Sequence, residues 1–436
     1  MSVSTPTRAA APGTGRLMSL DVLRGATIAS MMLVNNPGNW DAVYPQLDHA
    51  EWNGWTFTDL VFPFFLWIVG VAIPLSTARR LEQGQRRQEL FLHVIRRAAI
   101  IFGLGLFLNS FLFFIDGSIF HEGFAGWLHT LATNVRIPGV LQRIAVCYLL
   151  ASGIFLLTEG APGHLEGPQH ETGIWGRLGR SVRRQALAIL VLLAGYWGLM
   201  LLGPALGFGT AGFEKGANFA QYVDNLVLNG PVIGTHVWKT AKTWDPEGVV
   251  STIPAVATCL FGILCGQLLR SKPSAEAKTA WIMVTGSLLL LAGQVMNVWL
   301  PINKNLWTST YAVFMAGMAM LCFGVCYWLI DVQGWRRWAK PFSIYGLNPI
   351  TVFVLAGILG RISLAVTVTN AAGKPVALKT FLYEKFFASF ASADTAPCFG
   401  FLASPKNASL LWALTYVLGL YLVAYVMYRR KWVVKF

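Results

Sequence analysis

The chain has 436 residues, of which 55% are hydrophobic and only 12% charged. Soluble domains carry roughly 25% charged residues. Half that fraction, with a mean hydropathy of +0.54, excludes an ordinary cytosolic enzyme and excludes disorder. A formal charge of +14 would point to nucleic acid on a soluble protein. Here the basic residues sit in short clusters between apolar runs, the pattern of membrane topology, so the lipid bilayer is the expected partner and nucleic acid is not.

In chain order, residues 1–16 are polar and read as a cytoplasmic tail carrying Arg8 and Arg16. The apolar stretch that follows has no small-x-small cleavage site and is expected to stay as a first helix. A helix needs about 20 mostly apolar residues to cross a bilayer. Ten segments meet that need: 18–36, 57–78, 97–115, 138–158, 185–206, 249–269, 279–299, 308–330, 342–360 and 408–428. The expected fold class is therefore all-α, a polytopic membrane bundle of about ten helices forming one domain over 17–428, with a basic tail at 429–436. An even number of crossings puts both termini on one side. The connections on that side hold 22 Lys and Arg, against ten on the other, where the loops are longer. The positive-inside rule then makes both termini cytoplasmic.

Loops 37–56, 116–137, 207–248, 300–307 and 361–407 consequently face outward. Trp40, Trp52, Trp55, Trp127, Trp238, Trp244 and Trp307 lie in them. They suit an interfacial aromatic belt, and equally a vestibule that stacks on sugar faces. The six cysteines contain no CxxC pair; five fall in apolar runs and Cys398 in a loop. Neither a disulfide framework nor a metal site is indicated.

Charge inside a membrane is costly, which makes each such residue a candidate site. Asp21 and Arg24 are three apart in the first helix and share a face. They either pair with each other or leave Arg24 to meet an anionic ligand. Asp59 opens the second helix, Arg143 sits at the outer end of the fourth, and Asp245 and Glu247 precede the sixth. The macrodipole alone favours an acid at a helix start. Ionisable groups from several helices at one depth are still more than topology requires, and they would line one polar cavity. His49 stands in the short loop Asp48-His49-Ala50-Glu51-Trp52-Asn53-Gly54-Trp55. Histidine in a half-dry cavity is suited to proton transfer.

At these residues the chain resembles a known family. The stretches are Ser19-Leu20-Asp21-Val22-Leu23-Arg24-Gly25, Val34-Asn35-Asn36, His49-Ala50-Glu51-Trp52-Asn53-Gly54 and Thr58-Asp59-Leu60-Val61-Phe62-Pro63-Phe64. Ile68-Val69-Gly70, Gly139-Val140-Leu141-Gln142-Arg143, Asp245-Pro246-Glu247-Gly248 and Gly346-Leu347-Asn348-Pro349 continue the match. The ordered set resembles the transmembrane acetyltransferases typified by heparan-α-glucosaminide N-acetyltransferase, with bacterial NagX-type members. The resemblance implies a membrane enzyme that moves an acetyl group from cytoplasmic acetyl-CoA to the amine of a glucosamine-type sugar. It implies an inner-membrane location and a homodimer. The family histidine held to be catalytic falls on His49 and a nearby asparagine on Asn35, with Asn36 able to substitute.

The chemistry is consistent with those assignments. Acetyl transfer to an amine needs a neutral amine, a polarised carbonyl and a released thiolate. His49 would act as general base, or else be transiently acetylated; direct transfer in a ternary complex is the expected route. Asn35 would face the oxyanion, and Asp59 or Glu247 would orient His49 or hold the sugar ammonium. Asn36, Trp52, Asn53, Arg143, Asp245 and Glu247 are the expected substrate-binding residues. Arg24, Arg79, Arg80, Arg96 and Arg97 would meet the nucleotide, although positive-inside anchoring explains the last four equally well. The competing reading is an amino-sugar transporter that performs no acyl transfer.

Overall fold

The computed structural model describes residues 17–115, 118–159, 179–208, 212–230, 234–238, 240, 244–370, 373–391 and 403–434. The tail 1–16 and Cys398 lie outside the described residues. All ten expected segments are helical: α1 Met18–Val34, α2 Phe57–Glu82, α3 Arg87–Ile115, then α5 Val140–Thr158 and α6 Arg180–Ala205. Three more follow as α8 Thr252–Arg270, α9 Ala275–Met296 and α10 Ser309–Tyr327, and the last two are α12 Pro349–Ala365 and α14 Pro405–Arg429. Eight of these are long and apolar enough to cross a membrane. The other two, α1 and α12, have 17 residues each. At 1.5 Å per residue they measure about 25 Å, a little short of a bilayer core.

Three features differ from the sequence expectation. Helix α3 begins at Arg87, ten residues early, so Arg96 and Arg97 lie within the helix. Segment 342–360 is broken in two: a short α11, Lys340–Tyr345, precedes α12. Pro349 occupies the first turn of α12, where its missing N–H costs nothing. Gly346 at the break packs on α1 so closely that a Cβ there would lie 2.1 Å from the Asp21 carbonyl oxygen. Finally, the connecting loops carry further helices: α4 Ser118–Asn134, kinked at Gly123, α7 Phe219–Leu228 and α13 Leu378–Phe386. The long loop 361–407 also holds a small hairpin of Thr367–Thr369 with Pro375–Ala377.

Burial sorts the helices into a centre and a rim. About two-thirds of the apolar window is buried in α2 and α8 (67% each), against 17% in α14 and 22% in α9. The rim helices keep rows such as Leu187, Leu190 and Val191, or Leu288 and Leu291, on the outside. In a bilayer those rows face lipid tails and every backbone bond is satisfied within its own helix. At the centre, α2 and α8 meet through small residues. A Cβ on Gly70 would lie 1.9 Å from the Cys259 carbonyl oxygen, and one on Gly262 would lie 2.1 Å from that of Trp67. Such contacts bring two backbones together where hydrophobic driving force between helices is absent.

That crossing yields a stability prediction. Gly70→Leu or Gly262→Leu drives a side chain into backbone and should lower stability by at least the ~1–3 kcal/mol typical of overpacking. Gly103→Leu, where a new Cβ meets nothing within 4 Å, should be near neutral. Thermal melts in detergent check the contrast; equal melting temperatures for all three would refute it.

Candidate active site

The site is assembled on the start of α2. Thr56 caps that helix, and the cap is a full capping box with Asp59 at the third helical position. Asp59 is 1% exposed. Its Oδ2 accepts from the backbone N–H of Ala50 at 3.0 Å, the N–H of Thr56 at 3.1 Å and the Thr56 hydroxyl at 3.2 Å. That leaves Oδ1, which lies 2.8 Å from His49 Nδ1. The Tyr311 hydroxyl, from α10, donates to the Asp59 main-chain carbonyl at 2.6 Å and pins this turn from below.

His49 is 44% exposed by side chain while its partner is buried. With Nδ1–H given to Asp59, Nε2 is the basic nitrogen and the ring is held in one orientation. A third group joins them. Lys304 Nζ lies 3.4 Å from Asp59 Oδ1, and 2.8 and 3.2 Å from His49 Nδ1 and Nε2. A point that close to both ring nitrogens within the ring plane would collide with the carbon between them, so the ammonium sits against the ring face. Burial lowers the Lys304 pKa, and the Asp59 and Glu247 carboxylates oppose that shift.

Loop 300–308 delivers Lys304 with little freedom. Gly54 N–H donates to the Ile302 carbonyl at 2.7 Å, and Asn303 donates to Asn53 Oδ1 at 3.0 Å. Asn303 Oδ1 accepts from Leu306 N–H at 2.9 Å, and the Thr308 hydroxyl donates to the Pro301 carbonyl at 2.7 Å. Trp307 takes φ = 46°, a left-handed conformation unfavourable for a bulky residue. Its indole is fully enclosed, edge-on to Phe62 and Tyr311, with Nε1 donating to Thr258. Strain of this kind persists where the surroundings over-determine it.

A charged wall adjoins the site. The Arg136 Nε and Nη2 donate to the two Asp245 carboxylate oxygens at 2.7 and 2.6 Å, and Nη2 also reaches Glu247. These carboxylates raise the Arg136 pKa against the effect of burial. Arg143 is 2% exposed, lies 5.2 Å over the Trp307 ring, and donates to the Gly248 carbonyl and the Ser251 hydroxyl. Its Nε and Nη1 have no hydrogen-bond partner among the described residues. Trp52 donates to the Phe213 carbonyl at 2.7 Å and meets Trp244 edge-on at 5.4 Å. The structure thus brings together His49, Asp59, Trp52, Asn53, Arg143, Asp245 and Glu247 at one end of the bundle.

Asn35 and Asn36 lie elsewhere on the same loop. They line a cleft of about 440 Å³ with Trp40, Lys379, Trp412 and Tyr416, and the described contacts do not join them to His49. Asn36 donates back to the Met32 carbonyl at 2.8 Å. The five arginines expected at the nucleotide are at the basic end. Arg24 pairs with Asp21 at 2.9 Å, Arg80 contacts His93 at 2.9 Å, and Arg97 lies over Tyr148 at 5.2 Å. Arg79 and Arg96 are exposed. Sequence reasoning counted Lys304 and Arg136 only as outer-loop charges and passed over Asp224. A lone lysine in the eight-residue loop between two long apolar segments was the available signal.

The fold and site together define a polytopic helical membrane protein with a His–Asp pair at one membrane face. The comparisons agree. The family described as "Domain of unknown function (DUF5009)" matches residues 16–115. Human heparan-alpha-glucosaminide N-acetyltransferase is 30% identical over 365 residues, covering 78% of this chain and 52% of that protein. The mouse protein of the same name is 28% identical over 371 residues, covering 78% and 53%. The chain is similar to these proteins over most of its own length, and it spans about half the length of the curated relatives it matches.

Asp224 supplies a pH prediction. It is buried beneath the 245–249 turn, accepting from Val249 N–H at 2.8 Å and from Asp245 N–H at 3.3 Å. Burial pushes its carboxyl up to about 7 although those N–H groups favour the ionised form. A carboxyl held above its ordinary value binds its proton more tightly folded than unfolded. Its contribution is therefore intact below about pH 4 and is lost as pH rises to about 7. The melting temperature of the native chain should fall across this window relative to Asp224→Asn; parallel curves would contradict the assignment.

Proposed function

We propose that the chain is an N-acetyltransferase that moves the acetyl group of acetyl-CoA to the amine of a glucosamine-type sugar, with His49 as general base in a ternary complex. The observation that carries this reading is the His49–Asp59 pair, buried on the carboxylate side and open on the imidazole side. The name of the human and mouse relatives supports the reaction class. Both termini and the basic helix ends are assigned to the cytoplasm of a bacterial-type inner membrane, and the His49 end to the opposite face.

The sugar arrives as an ammonium and gives one proton through His49 Nε2 to solvent. Its lone pair attacks the thioester carbonyl; the N–C bond forms and the C–S bond breaks. The second amine proton passes through His49 to the departing thiolate sulfur. Asp59 keeps Nδ1–H and the ring orientation throughout, which leaves Nε2 as the proton carrier. The half-buried Trp52, against which Trp244 packs edge-on, is the proposed stacking surface for the sugar ring.

The donor's phosphates are assigned to Arg79, Arg80, Arg96 and Arg97. Two of these are exposed, and the buried Arg97 Nε has no partner among the described residues, which fits an anion. Asp59 and Arg80 are 21 residues apart on one helix, roughly 32 Å. The thioester arm therefore has to run most of the bundle's length toward His49.

The test uses purified protein in detergent with acetyl-CoA and glucosamine, following free thiol and N-acetylglucosamine by mass spectrometry. Both products should appear together, and His49→Ala should reduce turnover by about 10²–10⁴-fold. Equal turnover in the variant would remove His49 from the mechanism. Sugar binding with no thiol release across several amino sugars would favour the transporter.

A further inference from the structure

Lys304 holds a primary amine against the ring face of the proposed base, beside the place the acceptor amine must take. A general base works at roughly 2.6–3.2 Å from the proton-bearing atom. Lys304 Nζ is 3.2 Å from His49 Nε2, over the ring face, so a turn about the lysine's terminal bonds is the movement that brings its proton onto the in-plane Nε2 lone pair. Its side chain is 18% exposed, so a donor that reaches His49 also meets this amine. The neighbouring groups are few. On the His49 loop, the Asp48 carboxylate accepts the His49 N–H at 2.7 Å and is therefore engaged. On α2, Asp59 pairs with both His49 and Lys304. Before α8, Glu247 is bound to Arg136 and acts on Lys304 at longer range. Burial favours the neutral amine of Lys304, the nucleophilic form, although Asp59 resists.

We infer that Lys304 is a modification site: in the absence of acceptor sugar its Nζ takes the acetyl group from the same acetyl thioester. This rests on the acetyltransferase reading above. The balance is that of the sugar reaction. The Lys304 ammonium passes one proton through His49 to solvent, and Nζ attacks the thioester carbonyl. The amide N–C bond forms, the C–S bond breaks, and the second proton goes through His49 to the thiolate. The product is an uncharged amide. It abolishes the ion pair with Asp59 and leaves an acetyl group against the His49 ring, where the acceptor amine has to stand. Acetylation of Lys304 therefore silences the site, and bound sugar prevents it by occupying that space.

The experiment incubates the full chain with acetyl-CoA, with and without glucosamine. A hydroxylamine wash then strips any acetyl-imidazole, and each lysine is read by peptide mass spectrometry. Lys304 should become acetylated to a far greater extent than the exposed Lys374 and Lys385. Glucosamine should suppress the labelling, and His49→Ala should slow it by about 10²-fold or more. Lys304→Arg, which keeps the positive charge, should remove the site-specific acetyl signal while exposed lysines keep theirs. If the sugar is acetylated while Lys304 is labelled no faster than Lys374 and Lys385, the inference is overturned and the acetyltransferase reading stands. If neither sugar nor Lys304 is acetylated, both fall.

Discussion

The buried carboxylate of Asp59 is the constraint on which the rest of the site depends. One oxygen closes the capping box of α2 and holds Ala50, which fixes the loop that carries His49. The other oxygen meets the imidazole and the Lys304 ammonium. A carboxylate removed from water survives only with such partners. Here the partners are His49 and Lys304, so the stability of the helix start and the orientation of the His49 ring are a single requirement. Tyr311 extends this requirement into α10, and the Asn53–Asn303 contact extends it into the loop that delivers Lys304.

Around this centre the bundle resolves two opposing demands. The membrane requires apolar helices with satisfied backbones; the site requires charge. The structure gathers the charge at one end and neutralises it locally. Arg136 is shared between Asp245 and Glu247, Lys304 lies between Asp59 and His49, and Arg143 rests on the Trp307 face with part of its guanidinium uncommitted. The glycine contacts between α2 and α8 hold the two helices whose N-terminal ends carry Asp59 and the 245–251 turn. Close packing in the middle thus sets the spacing of charged groups at the end.

Much of the architecture was legible because bilayer thickness imposes a length and an apolar composition on every crossing helix. The segments at 57–78, 249–269 and 408–428 carry that signal plainly, and all are helices. The helices in the connecting loops, α4, α7 and α13, carry none of it. The break at Gly346 was hidden because its cause is the α1 backbone more than 300 residues earlier in the chain. The same holds within the site. His49 and Asp59 pair at ten residues apart, whereas Lys304 reaches His49 across 255 residues and Arg136 reaches Asp245 across 109. Asn35 shows the converse: closeness in sequence did not bring it into contact with His49, because the intervening loop leaves to pack on α14 through Gly38, Asn39 and Tyr44.

The most direct measurement is the sugar-acetylation rate of Asp59→Asn beside the native chain, with a thermal melt of each. The amide side chain still has an oxygen for the Ala50 and Thr56 N–H groups, but it no longer holds the His49 ring with Nδ1–H inward. The account predicts that turnover falls by about 10²–10⁴-fold while the folded bundle is retained. Undiminished turnover in a folded Asp59→Asn chain would contradict it, because the buried carboxylate would then be a helix cap and nothing more.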